Sequence, residues 1–126
     1  MAATANNLRI VFVMAGNEDE AAKIARALVE ERLAPCVNIL GPVRSVYRWR
    51  GAIESEREYL LVIKSHARLY SRVERKVREL HSYEVPEIIA VAIAQGSKPY
   101  LDWLIESTST QRTRPAWARH RSRILS

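Results

Sequence analysis

The sequence predicts an α+β domain, one antiparallel sheet carrying two main helices, on the strength of three observations. Strand-like and helix-like apolar patterns follow one another in the order strand, helix, strand, strand, helix, strand. The second and third strands run on into an unusually long hairpin. A short helical segment closes the pattern. At 126 residues the chain has the size of one domain, large enough to bury roughly two-thirds of its unfolded surface without disulfide or metal.

Leu8-Arg9-Ile10-Val11-Phe12-Val13-Met14 is a short apolar run rich in branched residues, and it reads as a buried central strand. Ala15-Gly16 breaks it. Asn17 then opens a helix, with Glu20 three residues on to complete a capping-box-like pair. Glu18, Asp19 and Glu20 sit where the helix dipole favours negative charge, and Ala21, Ile24, Ala25, Leu28 and Val29 follow at helical spacing. The second strand covers Leu33 to Leu40 and resumes at Val43 to Trp49, so Gly41-Pro42 is a bulge or bend within one long strand. Arg50-Gly51 supplies the turn, and Ile53 to Ser65 returns as the third strand. A second helix starts after Ser65 and buries Leu69, Val73, Val77 and Leu80.

Pro86 disfavours helix at the residue before it, so His81 to Pro86 is a loop. Glu87 to Ile93 is the fourth strand. From Pro99, a good first-turn residue, a last helix offers Tyr100, Leu101, Trp103 and Leu104 for burial. This order is the split βαβ, ferredoxin-like sandwich with both main helices on one face of the sheet. Each arm of the hairpin runs to about 13 residues, roughly 43 Å at about 3.3 Å per residue, against a usual strand of about 5–6 residues. Two helices cannot cover that length. Val43, Val46, Tyr47, Trp49 and Ile53 are therefore expected to project and to pair with a neighbouring subunit.

Composition bounds the function. With 48% apolar and 27% charged residues the chain is globular, and it contains no apolar run long enough to span a bilayer. A single cysteine, Cys36, fits a reducing cytosol, so the expected location is cytoplasmic. Five arginines at 112, 114, 119, 121 and 123, with no acid among residues 107–126, account for nearly all of the +6 net charge. The expected organisation is thus a folded domain over 1–107 and a basic, flexible tail over 108–126. Its body is nearly neutral, which argues against nucleic acid as a partner. The acids at the start of the first helix repel phosphate, and the sheet strands lack the exposed aromatics of an RNA-binding platform.

Nucleophilic catalysis needs a base beside Cys36 or a serine, and no such arrangement is legible. No CxxC or HExxH spacing is present. The richest polar cluster is His81-Ser82-Tyr83-Glu84-Val85-Pro86-Glu87, where an imidazole and carboxylates together can take a divalent ion. The competing reading is a loop that caps the second helix, with His81 near its negative end.

Glu31 to Ile39, Ser45 to Gly51 and His81 to Ile89, in that order, resemble motifs of the CutA divalent-cation tolerance family, and Tyr100-Leu101-Asp102-Trp103-Leu104 is similar to its closing helix. The resemblance covers about residues 8 to 107. It implies a homotrimer joined by long hairpins, cytosolic, linked to copper and other divalent-metal tolerance, with no enzymatic reaction and no obligatory cofactor. Some relatives carry a copper-ligating cysteine near the end of the first strand and adjacent histidines after the second helix. Here these positions read Val13-Met14-Ala15 and Leu80-His81, and Arg50 replaces the family's usual acid after the tryptophan.

The resemblance therefore implies weak or transient binding of Cu(II) or another divalent cation, through His81 with Glu84 or Glu87 and Cys36 as an outside candidate. Met14 adds a possible thioether. Tyr47, Trp49, Lys64 and Tyr83 are expected to shape clefts between subunits. A reading from another class is a regulatory module similar to the PII signalling proteins, binding a small anionic metabolite in those clefts through Lys64, Arg48 or Arg50.

Overall fold

The structure, a computed structural model, describes residues 7–108. Its elements are β1 (Leu8–Ala15), α1 (Glu18–Glu30), β2 (Cys36–Trp49), β3 (Ala52–His66), α2 (Tyr70–Leu80), β4 (Ile88–Ala92) and α3 (Lys98–Ser107). The four strands form one antiparallel sheet in the order β2-β3-β1-β4, the split βαβ arrangement the sequence predicts. The expected basic tail lies outside the described residues from 109 onward.

Local chemistry places the helices. Asn17 is extended and its Oδ1 accepts the Glu20 amide at 2.8 Å, ahead of the three acids of the first turn. The second half of the expected capping box is absent, because the Glu20 carboxylate accepts the Ser82 amide instead. The first helix ends with Arg32 at φ 61, where its own amide and that of Leu33 close onto the carbonyls of Val29 and Leu28. Before α2, His66 accepts the Arg68 amide and a 3-10 turn over Ala67–Leu69 leads in. Ser97 caps α3, with Pro99 in its first turn.

The core lies on one side of the sheet. Val11, Val13, Ala15, Leu61 and Ile63 face Ala21, Ile24 and Leu28 of α1 and Val73 and Val77 of α2, all fully buried. Alternation along the strands puts the intervening residues on the other face. There the register aligns Val62, Phe12 and Ile89 in one row across the sheet, Lys64, Ile10 and Val91 in a second, and Leu40, Leu60 and Met14 in a third. The short α3 covers only one end of this face, where Leu101 and Leu104 pack on Leu8. Ile89 and Val91 remain 53% and 45% exposed.

The long hairpin is present and continuous. Leu40 pairs with Leu60 and Val43 with Glu58, so β2 carries one extra residue at Gly41-Pro42, the expected bulge. The Tyr59 ring lies directly against Gly41, leaving no room for a side chain there. Because the bulge shifts the alternation of β2 by one, Val43, Ser45, Tyr47 and Trp49 join Glu58, Glu56 and Glu54 on the face that continues the uncovered side of the sheet. Arg44, Arg57 and Arg48 take the opposite face. Beyond the helix layer Val46 and Ile53 are 65% and 68% exposed. The hairpin closes tightly at Arg50 (φ 50) and Gly51 (φ 85), two consecutive left-handed residues between paired Trp49 and Ala52, a type I′ turn.

Two outcomes follow from this packing. Gly41→Ala drives a methyl into the Tyr59 ring and is expected to cost about 1–3 kcal/mol in denaturant unfolding. His66 has its pKa lowered from the ordinary 6.5 by burial and by the Arg68 and Arg9 guanidinium groups. The unfolded chain therefore takes up the proton first, so this contribution is complete above the ordinary value and is lost as pH falls through the lowered one. His66→Asn, which keeps a capping oxygen, should flatten that part of the stability–pH curve.

Candidate functional site

Where β1 ends, the hairpin runs on alone, and the loop 81–87 lies beside it. His81 fixes that loop. Its side chain is fully buried, with Nε2 2.7 Å from the Met14 carbonyl and Nδ1 accepting the Tyr83 amide at 3.1 Å. An acceptor at Nδ1 leaves the proton on Nε2, which donates to Met14. Both ring nitrogens are thus occupied, Nε2 on the end of β1 and Nδ1 within the loop. Glu20 reinforces the tie from α1, its Oε1 accepting the Ser82 amide at 3.0 Å and its Oε2 lying 3.6 Å from His81 Nδ1, buried and without a hydrogen bond.

Between loop and hairpin lies a cleft of about 520 Å³, lined by Met14, Tyr47, Trp49, Arg50, Glu58, Tyr83, Glu84, Val85 and Glu87. Glu58 is buried in its wall and accepts the Tyr83 hydroxyl at 2.9 Å. Burial first, then that hydrogen bond and the Glu58 charge, hold the Tyr83 phenol well above its usual range. It stays a donor at physiological pH. Tyr83 approaches this closely because Gly16 offers no side chain: a Cβ there would sit 2.9 Å from the hydroxyl. Across the mouth, Arg50 pairs with Glu84 at 3.1 Å while its guanidinium carbon lies 5.3 Å from the centre of the Trp49 ring. The tip of the arm therefore reaches the loop at residue 84 through this side chain.

The residues singled out in the sequence separate into groups. Tyr47, Trp49 and Tyr83 meet in this one cleft, within a single chain. Lys64 does not join them; it donates to Asn38 on the neighbouring strand. Of the four metal candidates, Glu84 and Glu87 line the cleft, His81 is sealed behind it by its two hydrogen bonds, and Cys36 stands on β2 with its thiol 4.0 Å from Asn38 Oδ1. Among the described residues no three His, Cys, Asp or Glu side chains gather as a metal site. One chain thus offers a divalent ion carboxylate oxygens and no imidazole or thiolate beside them, which does not fit a closed, tight copper site.

The cations named for an anion site do not converge either. Lys64 is on Asn38, Arg50 on Glu84, and Arg48 alternates to the far face of the arm. Glu20, Gly16 and Glu58 are site residues that the sequence reading missed. Glu20 reads locally as a helix-start acid and Gly16 as a strand breaker. Glu58 is one of several glutamates in a charged stretch, and only the register singles it out.

Comparison with known proteins matches residues 9–107 to the model of a family described as CutA1 divalent ion tolerance protein. The divalent-cation tolerance protein CutA of Thermus thermophilus is 46% identical over 99 residues, 79% of this chain and 96% of its own length. Protein CutA of Mus musculus is 44% identical over 99 residues, again 79% of this chain but 56% of its own length, so the chain spans little more than half of that relative. Among solved structures, the Thermus thermophilus protein superimposes with a TM-score of 0.79 at 44% identity, over 81% of this chain and 99% of that one. A protein of Archaeoglobus fulgidus described as a periplasmic divalent cation tolerance protein gives 0.79 at 35% identity, over the same shares.

If His81 is a tie rather than a free ligand, His81→Ala should strand the Met14 carbonyl and the Tyr83 amide. A loss of about 1–3 kcal/mol in denaturant unfolding, without any metal in the buffer, is the expected reading.

Proposed function

The chain belongs to the CutA1 divalent ion tolerance family, and on that premise we propose that it acts as a homotrimeric, cytosolic tolerance protein that takes up divalent cations weakly and catalyses no reaction. The observation that carries the assembly is the uncovered face of the sheet, three rows of mainly apolar residues from Leu40 to Val91 with no layer of the described residues over most of them. Exposed Val46 and Ile53 on the arm extend the same need. Contiguous apolar surface of this kind supports an interface. The count of three rests on the family resemblance. A free Cys36 and no other cysteine support a reducing compartment.

Metal uptake in this reading is an open, oxygen-dominated event at Glu84 and Glu87, with neighbouring copies able to add donors. The weakest oxygen-donor sites for Ca²⁺ hold it at about 10⁻⁴–10⁻³ M, and an open pair of carboxylates sets the same scale in this reading. Calorimetric titration with Cu(II) and Zn(II) should give dissociation constants in that range. Glu84→Gln with Glu87→Gln should lower the affinity further. Sedimentation should show a single trimeric species at micromolar concentration. A stable folded monomer would remove the assembly, and binding unaffected by the double glutamine variant would remove the metal assignment.

A further inference from the structure

We propose that the cleft between the arm and the loop 81–87 is a receptor for an organic cation, a guanidinium or primary ammonium group, and that Arg50 occupies it as a resident surrogate ligand. Three aromatic rings, from Tyr47, Trp49 and Tyr83, and three carboxylates, from Glu58, Glu84 and Glu87, line the same cleft. Aromatic faces beside carboxylates are the chemistry that holds organic cations, through ring quadrupole and charge together. A bare divalent ion gains little from the rings, and an anion is repelled by the acids. Glu54 and Glu56 lie on the same face of the arm as Glu58 and extend the negative field. Its reach is visible at Tyr47, whose hydroxyl is raised by partial burial and then by the charges of Glu56, Glu58 and Glu54.

The chain already displays the proposed complex. The Arg50 guanidinium lies 5.3 Å from the centre of the Trp49 ring and 3.1 Å from the Glu84 carboxylate. It does so from a left-handed backbone position, φ 50, at a turn site that Asn, Asp or Gly fills at lower cost. An arginine at a costly turn position, with its head on an aromatic face and a carboxylate, fits an occupant that another cation can replace. Within the single chain both partners of the ion pair are about three-quarters exposed, 73% and 75%, and an ion pair of this kind is weak enough for a stronger cation to displace. Two sources can supply that cation: a small free molecule, or the arginines at 112, 114, 119, 121 and 123 of this chain or a neighbouring copy.

The proposal goes beyond the tolerance reading but takes this cleft as the ligand site. The probe is agmatine, which carries one guanidinium and one primary ammonium, titrated calorimetrically into the full-length protein with citrate as the anionic control. Agmatine should bind and citrate should not. Arg50→Asn, which suits the turn and removes the surrogate, should tighten agmatine about tenfold, whereas Trp49→Leu should weaken it about tenfold. A full-length variant with the five arginines changed to glutamine separates the sources. Tighter agmatine binding in that variant identifies the tail as the natural occupant, and unchanged binding identifies a free molecule.

Absence of agmatine binding in both the wild type and Arg50→Asn up to about 10 mM overturns the proposal. So does agmatine binding that Arg50→Asn weakens or leaves unchanged, and so does citrate binding lost in that variant. Sedimentation and the Cu(II) and Zn(II) titrations are read independently, so failure of the tolerance reading and failure of this proposal remain distinguishable.

Discussion

Two helices, α1 and α2, lie on one side of a four-stranded sheet, and no second layer exists within residues 7–108 to match them. The central strand β1 is apolar on both faces, so its packing is half complete in a single chain: Val11, Val13 and Ala15 are fully buried, whereas Ile10, Phe12 and Met14 are only partly so. Every other feature is arranged around that imbalance. The arm is long where helices do not reach, α3 covers only one corner, and the remaining rows of side chains stay partly open within residues 7–108. Burial of apolar area, worth about 25 cal/mol per Å², is the driving force collected on the helix side and left partly unused on the open one.

The site depends on a different kind of tie. The buried imidazole of His81 joins the end of β1 to the start of the loop, and Glu20 joins the loop to α1. These neutral and charge-assisted hydrogen bonds fix where Tyr83, Glu84 and Glu87 stand relative to the arm. Tyr83 then reaches past Gly16 to the buried Glu58, so the cleft wall is held by a phenol–carboxylate pair rather than by packing alone. A histidine that resembles a ligand by position is, by geometry, the fastening that shapes the cleft.

Much of the fold was legible in the sequence because its signals are local. Asn17 before three acids, the Leu69, Val73, Val77 spacing, Pro86 before a branched run and Pro99 after a serine each specify a boundary within a few residues. Even the bulge at Gly41-Pro42 could be read. The open face was also written in the chain, since Leu8 to Met14 is apolar at every position except Arg9, but a doubly apolar strand reads as fully buried until the helices are counted. The site was only half legible. Tyr47, Trp49 and Tyr83 are conspicuous as aromatics in polar segments, and they do meet. The engagement of His81, the diversion of Glu20 and the pairing of Lys64 with Asn38 depend on contacts across 26 to 67 positions of chain, which no spacing rule encodes.

The single surplus residue in β2 also sets the electrical character of the arm. With it, the strand presents Tyr47 and Trp49 beside the glutamates of β3 and hides Arg44 and Arg48 behind. Were Gly41 and Pro42 paired in plain alternation instead of bulged, every distal residue of β2 would slip by one and bring those two guanidinium groups to the front in place of the rings. An aromatic, acid-walled groove would become a mixed or basic one with no substitution anywhere in it. The local geometry of two residues therefore decides what this surface can attract, at a position outside the cleft's own lining.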